Sequence, residues 1–154
     1  MAIRNVRTEG NPVLREKCIE IKEVTDSTRK ILDDMLETMY ATDGVGLAAP
    51  QVGIPKRMCV IDDRDGHIMK LVNPVIKKTS GEQISVEGCL SLPGFQGRCK
   101  RPKKIWVEAL DENGEKVEFT AEDFFAVVCC HEFDHLDGIL YKDKAFEYGE
   151  IKQQ

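Results

Sequence analysis

The stretch CCHEFDHLDG, residues 129–138, places His131 and His135 four positions apart, with Glu132 directly after the first. On a helix, positions i and i+4 share a face, so both imidazoles can address one cation. Glu132 leaves the helix about 100° round from His131, near enough to reach a water held by that cation. Two imidazole ligands and a carboxylate base make up the HExxH pattern of metal hydrolases. The plainer alternative is a helix with two surface histidines. The apolar run FFAVV (124–128) just before it argues against that, because it turns this helix inward.

A hydrolytic site of this kind has three protein ligands and an open position for water. The frame continues to Gly138 as in one protease pattern, but Tyr141 stands where that pattern needs a third histidine. The downstream glutamates, Glu147 and Glu150, fall in a tail that reads as frayed. A peptidase is therefore the weaker reading, and the third ligand is expected upstream, with a thiol the natural candidate. Cys130 and Cys129 lie about 100° and 200° round from His131, off the metal-facing side. Cys89, in SVEGCLSLPG, follows an apolar strand and precedes a proline in an extended segment. Spacing alone does not choose it over Cys59 or Cys99, and each reads equally well as a small buried apolar residue.

The elements that must position these groups are legible in outline. Ile31, Leu32, Met35, Leu36 and Met39 recur at helical spacing behind Asp26 and Ser27, which are placed to cap the start; Gly44 closes this helix. Strands are expected at 57–62, 68–76, 104–111 and 115–121, with Asn113-Gly114 as the turn of a hairpin. A second helix follows, with Thr120 and Asp123 as a capping box and Gly138 as its stop. Helix, strands, helix is an α+β order: short antiparallel or mixed sheets around a central HExxH helix, with an N-terminal helix.

The chain of 154 residues suits one domain spanning 1–154, and neither a repeat nor a linker divides it. The net charge of −5 gives no basic footprint, so nucleic acid is not an expected partner. The opening MAIRNVRTEGNP lacks an apolar leader, and no run approaches the ~18 apolar residues of a membrane span. A cytoplasmic location is expected, with the six cysteines as thiols rather than disulfides.

Three stretches together resemble the peptide deformylases: GVGLAAPQ (44–51), EGCLS (87–91) and HEFDHLDG (131–138), in that family's order. The likeness runs from NPVLR (11–15) through VNP (72–74) to Tyr141. It implies Cys89, His131 and His135 as ligands of one divalent metal ion, Fe²⁺ physiologically, with Zn²⁺, Ni²⁺ or Co²⁺ able to replace it. It implies removal of the formyl group from N-formylmethionyl nascent polypeptides at the ribosome; separately, a monomer is expected. Glu132 then serves as general base and acid, and the Gln51 amide and the Leu90 N–H hold the oxyanion. Gly44, Val45 and Gly46 meet the peptide backbone, while Phe124, Val127 and Val128 with Val45 line an apolar pocket for methionine. Glu87 and Arg101 are implied as an ion pair bracing EGCLS.

The chain also departs from the family pattern. Cys130 replaces a common glutamine before His131 and is expected to make the site more prone to oxidation. Arg98 is the nearest counterpart of an arginine that often follows EGCLS and meets the peptide. A non-catalytic thiol module built on Cys129-Cys130 is the remaining alternative, and it has no use for Glu132 or Gln51.

Overall fold

A computed structural model describes residues 2–152. The N-terminal helix, α1 (Asp26–Ala41), buries Leu32, Met35 and Met39 against Leu47, Met58, Val60 and Val72. Its cap is Thr25 rather than Asp26 or Ser27. The Thr25 hydroxyl accepts from the Thr28 N–H at 3.3 Å, and the Thr28 hydroxyl accepts from the Thr25 N–H at 3.1 Å. Its end also differs from expectation. Asp43, at φ +58°, takes the left-handed position, and the Gly44 N–H then reaches the Met39 carbonyl at 2.9 Å. A short Asp tolerates that conformation, so Gly44 is free for another purpose.

The next strands, β1 (Gly46–Ala48), β2 (Met58–Asp62) and β3 (Ile68–Ser80), build an antiparallel sheet, with β1 at its edge. The VNP stretch is a kink in β3: Asn73 sits at φ +51°, and the pairing to its neighbour slips between Val72 and Val75. Pro74 has no N–H to give the ladder, which explains the slip. The Asn73 side chain instead ties down the Ile21 backbone at 2.9 and 2.7 Å. A short strand, β4 (Gln83–Glu87), pairs with β5 (Phe95–Arg101) in a second sheet. Then β6 (Lys104–Leu110) and β7 (Lys116–Glu122) form the expected hairpin, which extends the first sheet to the order β1-β2-β3-β6-β7. Its connection spans Asp111–Glu115, with Gly114 at φ +79° and the Asp111 carboxylate accepting from two loop N–H groups.

Helix α2 (Asp123–His135) packs between the two sheets, and every side chain from Phe125 to Phe133 is buried. A helix apolar all round belongs inside a core. The expected Thr120–Asp123 capping box is absent. Thr120 belongs to β7, the cap position falls on Glu122 without a side-chain bond, and the Asp123 N–H goes to the Lys103 carbonyl at 3.0 Å. The strand runs straight into the helix, so the neighbouring chain supplies the acceptor. Gly138 does stop α2, at φ +73°, with the Ile139 N–H on the Asp134 carbonyl at 3.0 Å. A Cβ there would lie 2.6 Å from the Arg15 carbonyl, so only glycine fits.

The tail is not frayed. After one turn, α3 (Tyr141–Lys144), the segment β8 (Ala145–Glu150) pairs with β5 and completes the second sheet, β4-β5-β8. Glu147 reaches Arg98 across that pair rather than any metal.

Candidate metal centre

EGCLS leaves the end of β4, and the HExxH residues sit on α2, so the two motifs meet where the second sheet covers the helix. The candidate ligand atoms of Cys89, His131 and His135 all lie within 4.8 Å of one another. The Cys89 sulfur is 3.4 Å from His135 Nε2. His131 Nδ1 lies 2.9 Å from Glu87 Oε1, which places the proton on Nδ1 and leaves Nε2 to face the cysteine. His135 is 1% exposed, and burial, followed by the nearby His131, pushes its pKa well below the usual imidazole value. It is therefore neutral, with a lone pair to offer.

Behind the ligands lies a buried charge network. The Arg101 guanidinium donates to both oxygens of Glu87, at 2.8 Å each, and to Asp134 at 2.7 Å. Burial on its own would raise the Glu87 carboxyl. The hydrogen bonds from Arg101 and His131 outweigh it and hold Glu87 well below the usual carboxylate range. An ionised Glu87 fixes the tautomer and orientation of His131, which is the ordinary task of a group behind a metal-ligating histidine. The ion pair implied at sequence level is present, and Asp134, the unassigned Asp of HEFDH, is its third member. A sulfur and two imidazoles, converging and backed in this way, fit a divalent transition-metal ion.

The implied catalytic groups border one cavity of about 430 Å³, together with Cys89 and His131. Glu132 is 4% exposed; one carboxylate oxygen has no partner among the described residues, and burial pushes its pKa up to about 7. Gln51, 1% exposed, accepts from the Ala48 N–H at 3.0 Å. Its amide NH₂ thereby points toward the Ser91 hydroxyl at 3.1 Å and the Cys89 sulfur at 3.5 Å. The Leu90 N–H donates to no group among the described residues. Gly44, Val45, Gly46, Phe124, Val127 and Val128 all border the same cavity. His135 lies deeper and does not.

Three features were not foreseen. Gly46 lies against Glu132: a Cβ there would meet the carboxylate oxygen at 2.5 Å and Cγ at 2.8 Å. Arg98 lies outside the cavity wall, paired with Glu147 and stacked over Phe146, so the peptide contact considered for it is not prepared. Cys130 is buried, and burial pushes its thiol up to about 11. A thiol kept protonated in this way is a weak nucleophile at neutral pH, which counts against oxidation at this position.

Known proteins match this arrangement closely. The family model for polypeptide deformylases matches residues 3–149. Peptide deformylase 2 of Clostridium acetobutylicum is 53% identical over 149 residues, which is 96% of this chain and 99% of that protein. The peptide deformylase of Acetivibrio thermocellus is 50% identical over 148 residues, covering 96% of this chain and 86% of that protein. The crystal structure of the Thermotoga maritima peptide deformylase superposes with a TM-score of 0.91 at 38% identity, over 94% of this chain and 99% of that one. With its three motifs assembled around one site and relatives half identical over nearly its whole length, the chain belongs to the polypeptide deformylase family.

Proposed function

We propose that Cys89, His131 and His135 hold one divalent metal ion, Fe²⁺ in the cell, and that Glu132, Gln51 and the Leu90 N–H act around it. The chain is an enzyme of a metal-dependent family that removes the N-terminal formyl group from nascent polypeptides. When bound, the metal supplies Lewis acidity for a water and for the formyl oxygen. Glu132 takes the proton of the attacking water and returns it to the departing amine, so that formate and a free N-terminus result. Its buried position supports the role, since a carboxyl near pKa 7 both accepts and releases a proton at neutral pH. The oxyanion of the tetrahedral intermediate receives the Gln51 amide and the Leu90 N–H, each of a kind typically worth ~10²–10³ in rate. The Gln51 amide is already turned by its bond to Ala48, so little reorganisation is required.

The peptide lies along β1. That strand pairs with β2 on one side only, so Gly46, with Val45 just before it, offers a backbone edge at the cavity, a known mode of peptide capture. Val127 and Val128, nearly buried, form the floor for a methionine side chain, and half-exposed Phe124 forms its rim. We take the active form to be a monomer, one domain over 1–154, in the cytoplasm and acting on chains leaving the ribosome without binding nucleic acid. The net charge of −5 supports the last point, and among the described residues no helix is long and apolar enough to cross a membrane.

The observation that carries this reading is the meeting of the three ligand atoms beside Glu132 and Gln51 at one cavity. It is tested by formate release from formyl-Met-Ala-Ser, using protein purified without oxygen and assayed in parallel for metal. Release lost in Glu132→Ala with metal retained is expected. No release from metal-replete wild type overturns the reading.

A further inference from the structure

The segment 43–46 borders the cavity yet has little of its own to hold it. Asp43 is left-handed at φ +58°, and Gly44 and Gly46 have no side chains. What holds it comes from two other elements. From the end of β2, the Asp62 N–H donates to the Val45 carbonyl at 2.9 Å, and from the turn after it the Arg64 guanidinium donates to the Gly44 carbonyl at 3.0 Å. From the last turn of α1, the Tyr40 hydroxyl donates to Asp62 Oδ2 at 2.7 Å. Asp62 is 7% exposed, and its other oxygen accepts from the Arg64 N–H at 2.9 Å.

That last bond holds Arg64 at φ +65°, a conformation a long side chain rarely adopts. A glycine would make the same turn without strain. The arginine has a use there: its guanidinium crosses the Tyr40 ring, 5.0 Å from the centroid, on the way to Gly44. An observed outlier of this sort, next to a functional edge, points to a role for the side chain.

We propose that Tyr40, Asp62 and Arg64 form a brace that presets the Gly44–Gly46 edge for the formylated peptide, with Arg64 its outermost positioning residue. The proposal rests on β1 being the peptide-pairing edge. Arg64 touches neither the metal ligands nor Glu132; it acts through the backbone of Gly44. An edge that is in register only part of the time weakens apparent binding in proportion and leaves the chemical step alone once peptide is bound.

The test is Arg64→Gly in the metal-loaded enzyme. Glycine keeps the turn and relieves its strain, so Tm is expected not to fall. KM for formyl-Met-Ala-Ser is expected to rise roughly three- to tenfold, the range of one hydrogen bond, with kcat within about twofold. Amide exchange across 44–48 is expected to speed up. Arg64→Lys, which keeps a donor, should recover part of the KM. Tyr40→Phe, which removes only the hydroxyl from Asp62, should move KM and exchange in the same direction. Unchanged KM in Arg64→Gly overturns the brace. So does a raised KM with unchanged exchange, which would make Arg64 a direct peptide contact. If the wild type releases no formate, the deformylase reading falls, while the exchange comparison still decides whether the brace exists.

Discussion

Gly46→Ala separates two reasons for a glycine at the cavity edge. A Cβ at this position would lie 2.5 Å from Glu132 Oε2 and 2.8 Å from both Cδ and Cγ. Carbon pairs rest at ~3.5–4.0 Å, so the methyl group overlaps the Glu132 side chain by about 1 Å. The Glu132 carboxylate is the far end of a flexible chain, but its freedom is small here. The residue is 4% exposed on a helix buried from Phe125 to Phe133, and Cγ, close to the stem, is also overlapped. The side chain must therefore turn away by about the same 1 Å, and a misplacement of that size costs on the order of 10² in rate.

The assay is steady-state formate release with metal content measured on the same sample. If the methyl displaces Glu132, kcat falls about a hundredfold with metal retained and KM little changed. If the glycine instead serves only to admit the peptide backbone, KM rises and kcat is spared. Gly44→Ala is the control, because its Cβ meets the mobile end of Leu90 at 3.2 Å and Met39 Cγ at 3.4 Å. Its kcat should fall less than about threefold. A Gly46→Ala enzyme whose kcat stays within threefold of wild type would refute the argument that this glycine exists for Glu132.

Three further outcomes follow from the packing. Arg101→Ala leaves the carboxylates of Glu87 and Asp134 facing each other without their shared cation, in a site where Arg101 is 3% exposed. A loss of ~3–5 kcal/mol in denaturant unfolding, with weaker metal retention, is expected; a loss under ~1 kcal/mol contradicts it. Gly138→Ala combines φ +73° with a 2.6 Å approach to the Arg15 carbonyl, and should cost at least ~2 kcal/mol by the same measurement. Burial would raise the Asp34 carboxyl, but the Ala2 N–H and the Arg4 guanidinium hold it below its ordinary 3.8. Its folded value lies below its unfolded one, so its stabilisation is present above pH 3.8 and is lost as pH falls through the depressed value. The Tm gap between wild type and Asp34→Asn should be constant above pH 5 and close below pH 3.8. A gap that widens in acid is the contrary result.

What could be read from the sequence was local, and what could not was pairing. His131, Glu132 and His135 share one helix, where spacing alone fixes their directions, and the β6–β7 hairpin announces itself through Asn113-Gly114 and alternation. Cys89 could not be chosen over Cys59 or Cys99 by spacing. Its place beside His135 depends on β4 lying next to α2, a contact 46 residues apart in sequence, and only the family resemblance supplied it. The tail misled because β8 is stabilised by β5, not by itself, although Phe146 and Tyr148 alternate as strand residues do. Two of the three misplaced caps have the same origin. The Asp123 N–H finds an acceptor on Lys103, and the Gly44 N–H finds one five residues back on Met39, so neither end required the side chain that propensity favours. Arg101 carries this furthest. It stands 14 residues from Glu87 and 33 from Asp134, and it looks like one more charge in a basic stretch, GRCKRPKK. Yet its guanidinium is the largest of the groups that keep Glu87 ionised in the core, and an ionised Glu87 is what holds His131 in the tautomer that presents Nε2. The candidate ligands thus stand in two short motifs, EGCLS and HEFDHLDG, while the state of His131 depends on a residue outside both.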